Sequence, residues 1–178
     1  MPERVDILSS RTIYDGKIVK LKVDRVVEPG KITATREIVQ HPGSVVVLPR
    51  FEDGGVLLVR QFRYATGRSL WELVAGGMEE GESVRRAALR ELLEETGYRA
   101  SVIKPIFEFY SSPGFVTERM RLVEARNLTL AKPEPEADER IEVKKFTEIE
   151  LRKMVAAKKI LDAKTLVGLL WLFKSVSK

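Results

Sequence analysis

The chain is expected to fold as an α/β sandwich with a small antiparallel β-sheet at its N-terminus. Three observations predict this. Val45-Val46-Val47-Leu48 and Val56-Leu57-Leu58-Val59 are continuous apolar runs, as strands covered on both faces require. The stretch from Ser83 to Gly97 has the composition and both end signals of a helix. Residues 11–39 alternate apolar with polar between turn signals, the pattern of half-exposed strands.

Composition sets the outer bounds. The chain has 178 residues, 44% of them hydrophobic, enough for one domain with an appendage. No apolar run reaches the ~18 residues of a membrane span. The first ten residues, MPERVDILSS, lack the apolar stretch of a signal peptide, so a cytoplasmic location is expected. There is no cysteine, which excludes thiolate chemistry and fits a reducing compartment. One histidine, His41, cannot build a histidine metal site alone. The net charge is +5, and its excess is local: residues 140–178 hold ten Lys+Arg against four Asp+Glu. Those lysines are interleaved with apolar positions at helical spacing, which favours a solvated helix face over a nucleic-acid patch.

In chain order, residues 1–40 form the N-terminal sheet. Asp15-Gly16 turns one hairpin and Glu28-Pro29-Gly30 makes the next turn, before a strand over Ile32 to Val39. Three short strands are marginal alone and should pack on the main domain or on a partner subunit. Pro42-Gly43 marks the boundary, and residues 41–178 form the main domain. Its strands are Val45–Leu48, Val56–Val59, Leu70–Val74, Ala100–Phe109, Met120–Ala125 and Ile141–Phe146. Ala131 to Arg140 is a proline-rich acidic loop. Thr147 with Glu150 makes a capping box for a helix to about Lys159, and Asp162 caps the last helix.

The most informative stretch is Gly76 to Tyr98, GGMEEGESVRRAALRELLEETGY. Ser83 caps the helix and Gly97 ends it. Glu91 and Glu95 lie one turn apart on one face with Glu94 beside them, while Leu89, Leu92 and Leu93 are expected to point broadly away. Three carboxylates so placed repel each other unless something positive sits among them, and hard oxygen ligands favour Mg²⁺ or Mn²⁺. The stretch resembles the Nudix box, G-x5-E-x7-R-E-U-x-E-E-x-G-U with U a bulky apolar residue. The matching residues are Gly76, Glu82, Arg90, Glu91, Leu92, Glu94, Glu95, Gly97 and Tyr98. Further stretches resemble the ADP-ribose pyrophosphatase branch of that family: Arg36-Glu37 with His41-Pro42-Gly43, Val59–Arg63, Leu70-Trp71-Glu72-Leu73 before Ala75-Gly76, Ser112–Phe115 with Glu118, and Asp162-Ala163-Lys164-Thr165. Val74 departs from the branch, where proline often precedes the alanine.

The resemblance implies a Nudix-type α/β/α sandwich with a mixed sheet. It implies hydrolysis of the pyrophosphate bond of a nucleoside diphosphate sugar, foremost ADP-ribose to AMP and ribose 5-phosphate. The alternatives are a pyrophosphatase for another such sugar and a Nudix-like nucleotide sensor without catalysis. Glu91 and Glu95 are the expected metal ligands, with Glu94 as a shared or water-mediated ligand and the main-chain carbonyl of Ala75 added by the resemblance. Gly76 is expected to matter by aiming that carbonyl through a tight turn. Glu82 and Arg90 are expected to hold the loop to the helix. Arg63, Arg36, Gly114 and Glu118 are the implied substrate contacts. The implied base is a glutamate on the loop before the last strand, Glu139 first and Glu136 second, with the box glutamates serving if neither is placed for it. The branch exchanges its N-terminal sheet across a homodimer, and the same is expected here.

Overall fold

Residues of strand β4 (Ser44–Pro49) alternate between two separate cores, which is why an unbroken apolar run was selected there. Val46 and Leu48 face one core, and Val45 and Val47 the other. None of the four has measurable exposure. The computed structural model describes residues 4–131 and 141–176. They form two compact units: residues up to Gly43 together with Tyr110–Arg119, and the remainder.

The first unit contains strands β1 (Asp6–Asp15), β2 (Lys20–Glu28) and β3 (Ile32–Gln40), ordered β1-β2-β3 and antiparallel throughout. The β2–β3 turn uses left-handed backbone at Gly30 (φ 81°) and Lys31 (φ 63°). All ten residues of β1 are exposed. The Tyr110–Arg119 segment joins β3 through Val39 N–H to the Phe115 carbonyl (2.8 Å) and Thr117 N–H to the Val39 carbonyl (3.0 Å).

The second unit has two sheets and three helices. Strand β5 (Val56–Arg63) runs antiparallel to β6 (Arg68–Glu72) on one side and to β10 (Ile141–Phe146) on the other. Strand β4 lies between β7 (Val74–Gly77), antiparallel, and β9 (Arg119–Leu130), parallel, with β8 (Tyr98–Tyr110) beyond β9. That sheet is therefore mixed, as the sequence reading expects. Helix α1 (Val84–Thr96) covers the Val45/Val47 side, where Ala87, Ala88 and Leu92 are buried with Val74 and Val123. Helices α2 (Glu148–Ala156) and α3 (Ala163–Val176) supply Leu151, Leu169, Leu172 and Phe173 to the other core. Trp71 packs against that core edge-on to Phe146, with centroids 5.0 Å apart. Both halves of the Thr147–Glu150 capping box are formed, and Asp162 Oδ2 accepts from Thr165 N–H (2.9 Å). No helix among the described residues is long and apolar enough to cross a membrane.

Candidate active site

The site is built on α1 and on β7, the strand before it. Ser83 accepts the Arg86 N–H and opens the helix; Gly97, in the left-handed region at φ 70°, closes it on the Leu93 carbonyl. The buried stripe of α1 repeats every three to four residues through Ala87, Ala88, Glu91, Leu92 and Glu95. This corrects the expectation that the leucines point away from the acidic face. Leu92 is in the core, Leu89 and Leu93 are half-buried, and Glu91 and Glu95 share the packed stripe at 8% and 7% exposure. The alanines cause it: small side chains let the helix approach β7 closely enough to enclose the flanking carboxylates.

Arg90 is the positive group among them. Its Nη1 donates to Glu91 Oε1 (2.5 Å) and Glu94 Oε2 (3.1 Å). Its Nε and Nη2 donate to the two Glu82 oxygens (3.2 and 3.0 Å), and Nη2 also reaches the Gly77 carbonyl (3.0 Å). One guanidinium thus ties the loop, the end of β7 and the helix together. The Arg90 bonds hold the Glu82 carboxyl below the ordinary carboxylate range, against a smaller opposing effect of burial. The hydrogen bonds that Arg90 donates to Glu82 in turn raise its guanidinium far above an ordinary arginine.

Gly76 plays a different part from the one expected. It lies inside β7 with no left-handed backbone, so no tight turn aims the neighbouring carbonyl. A Cβ there would overlap the Glu91 carboxylate, so only glycine lets that group rest against the strand. The donor set suits a hard divalent cation: Glu91 and Glu95 are enclosed oxygen donors, Glu94 is adjacent, Ala75 precedes Gly76, and the single charge of Arg90 offsets only part of theirs. Among the described residues no three acidic side chains converge on one point as they stand.

Arg63, at the end of β5, is held bidentately by Glu72: Nε to Oε1 and Nη2 to Oε2, both 2.9 Å. These bonds raise the Arg63 guanidinium above its ordinary value; burial opposes this, and the charges of Glu95 and Asp162 add to the rise. Glu72 itself is 1% exposed and also meets Lys164. Burial pushes its carboxyl up, but Arg63 and Lys164 outweigh this and hold it low. Glu72 and Lys164 both lie in motif segments that carry the resemblance, but neither has a role legible in the sequence. The available signal was an ionisable residue set between Trp71 and Leu73 in an apolar strand.

In the first unit, Arg36 on β3 makes a bidentate pair with Glu28 (2.7 and 2.8 Å). Gly114 is exposed with open space around it. Glu118 Oε1 lies 3.8 Å from His41 Nδ1, which accepts the Gly43 N–H at 3.0 Å. Glu136 and Glu139 lie outside the described residues.

The family model for the NUDIX domain matches residues 40–166. The chain belongs to the Nudix family. Among its relatives, an ADP-ribose pyrophosphatase of Bacillus subtilis (strain 168) is 38% identical over 93% of this chain and 90% of its own length. A methanol dehydrogenase activator of Bacillus methanolicus is 37% identical over 93% of this chain and 90% of its own length. A solved structure described as an ADP compounds hydrolase superposes with a TM-score of 0.82 at 20% identity, covering 97% of this chain and 94% of that one. That likeness establishes the Nudix fold, and the resemblance read from the box and the surrounding motifs is borne out by the family match and the relatives.

Proposed function

We propose that this Nudix chain is a divalent-metal-dependent ADP-ribose pyrophosphatase, converting ADP-ribose and water to AMP and ribose 5-phosphate. The observation that carries the reading is the enclosed pair Glu91 and Glu95 on one face of α1, with the Glu91 carboxylate against the backbone of Gly76 and Arg90 offsetting part of the cluster's negative charge. The ADP-ribose pyrophosphatases among its relatives support the choice of substrate.

Glu91 and Glu95 would hold the metal, Mg²⁺ or Mn²⁺, with Glu94 as a shared or water-mediated ligand and the Ala75 carbonyl added. A bound divalent ion supplies charge neutralisation at the diphosphate and a more acidic attacking water. Arg63 contacts a phosphate through its remaining donors, since Glu72 occupies Nε and Nη2. Arg36, Gly114 and Glu118 complete the substrate contacts. The base that takes the proton is Glu139 or, after it, Glu136. The chain works as a homodimer in the cytoplasm, joined through residues 1–40, with 41–178 as the hydrolase domain. The exposed apolar side chains Ile7, Leu8, Ile13 and Tyr14 of β1 support that interface.

The test is hydrolysis with Mg²⁺ across ADP-ribose, GDP-mannose, ADP-glucose and 8-oxo-dGTP. ADP-ribose is expected to have the highest kcat/KM, with AMP and ribose 5-phosphate as products. A higher value for another nucleotide sugar would move the substrate. Binding without turnover of any of them would make the chain a sensor.

A further inference from the structure

Glu72 and Lys164 face each other from β6 and the first turn of α3, in a knot of four charges with Arg63 and Asp162. A buried carboxylate is costly unless paired, and well-packed apolar residues in place of a buried ion pair are often neutral or better for stability. Stability alone therefore does not explain Glu72 between Trp71 and Leu73.

The geometry supplies another reason. Glu72 takes two donors of Arg63, which fixes the plane of the guanidinium and leaves Nη1 outside the pair. The Arg63 side chain keeps 39% of its surface exposed while that of Glu72 keeps 2%. Lys164 Nζ donates to Glu72 Oε2 and to Asp162 Oδ1 (3.0 Å). Asp162 Oδ2 accepts from the backbone and hydroxyl of Thr165 (2.9 and 2.6 Å), and Thr165 Oγ1 accepts the Leu73 N–H (2.7 Å). The first turn of α3 thus clasps Glu72 by its side chain and Leu73 by its backbone, directly before Val74-Ala75-Gly76. Two cations and two anions make the knot neutral. Removing the Lys164 charge leaves a net negative cluster behind Arg63.

We infer that Glu72 and Lys164 are positioning residues for Arg63, holding its guanidinium in one orientation and keeping its surroundings from repelling a diphosphate. The inference rests on the reading of Arg63 as a phosphate contact. It is tested by a double-mutant cycle of Lys164→Met and Glu72→Gln, each in the parent and in an Arg63→Ala background. Two quantities are read: kcat/KM for ADP-ribose with Mg²⁺, and affinity for ADP by calorimetry without divalent metal. In the parent each change is expected to lower kcat/KM by roughly 10- to 100-fold and weaken ADP binding about tenfold, since a charge-assisted contact is lost. In the Arg63→Ala background the same changes should cost less than about twofold, and Lys164→Arg should recover most of the loss.

Equal losses in both backgrounds overturn the inference, as do losses too small to measure in the parent. An Arg63→Ala variant that binds ADP like the parent overturns it too. If circular dichroism shows that Lys164→Met does not fold, Lys164→Gln keeps a donor to Glu72 and must show the same non-additivity at smaller size. Failure of the parent to hydrolyse ADP-ribose defeats the proposed function but leaves the cycle readable from ADP binding. Hydrolysis with additive losses defeats this inference alone.

Discussion

Three residues of the box each give a separable expectation. Glu95→Gln keeps size but removes charge, so kcat should fall by roughly 10²–10⁴ with the fold intact; activity within threefold of the parent would sink the assignment. Gly76→Ala should displace the Glu91 carboxylate, raising the Mg²⁺ concentration needed for half-activation while circular dichroism stays unchanged. An unchanged requirement would separate Gly76 from the metal. Glu82 is ionised more readily in the folded chain than in the unfolded one. Its stabilisation is therefore complete above its free value of 4.5 and fades as pH falls through the lower folded value. Urea midpoints should show the parent more stable than Glu82→Gln at pH 7, with the gap closing as the pH is lowered below 4.5; a gap that persists in acid would mean that the Arg90 pair is not its source. The caps of α1 and the identity of its carboxylates were legible because both are local signals. Which stripe of α1 is buried was not, because Glu91 and Glu95 fall on the same repeat as Ala88 and Leu92. Only the distance to β7, set by the alanines, decides that charged groups go inside.

Elements differ in how much of their stability is local. Helix α2 is short and exposes most of its surface, burying only Leu151, so its capping box should matter. Thr147→Ala is expected to cost about 1 kcal/mol, a fall of roughly 2–4 °C in Tm for a chain of this size; no fall in a calorimetric scan would show that packing alone holds the helix. Strand positions were readable from the apolar runs, yet Leu70–Val74 is two strands, β6 and β7, in different sheets. The break is invisible in sequence because both parts are apolar; it falls at Leu73, whose N–H goes to Thr165 instead of a ladder. The proline-rich acidic segment that precedes β10 in sequence supplies a further expectation. Glu136→Gln and Glu139→Gln, assayed at saturating Mg²⁺ and substrate, should separate, one of them losing roughly 10²-fold or more in kcat with metal affinity kept. Near-normal kcat in both and in the double variant would remove the base from this segment.

For the whole molecule, the expectation is an isologous dimer through the N-terminal sheet, burying near or above the ~1,600 Å² of a standard interface. Three strands cannot enclose an apolar face of their own, and Ile7, Leu8, Ile13 and Ile32 are exposed on them. Sedimentation at micromolar concentration should give twice the 20.2 kDa chain mass; a monomer with full activity would refute the interface. The division of the chain was partly legible. Pro42-Gly43 announces a boundary, but nothing local says that Tyr110–Arg119 belongs with the residues before it. That grouping rests on hydrogen bonds between Val39 and residues 115–117, a pairing across about seventy-five positions that periodicity cannot register.

The parallel pairing of β4 with β9 has a consequence for how the chain acquires its structure. Ser44 meets Met120 and Pro49 meets Ala125, so the central strand waits for a partner far along the chain. Loop closure must be paid before that contact returns anything, which slows folding. During synthesis, a nascent chain ending before β9 would hold a β4 with one edge unpaired and both faces apolar, a species prone to aggregate. Hydrogen-exchange pulse labelling should therefore find β4 and β9 amides gaining protection together, after those of the β1–β2 hairpin. Early protection of β4 without β9 would contradict this order.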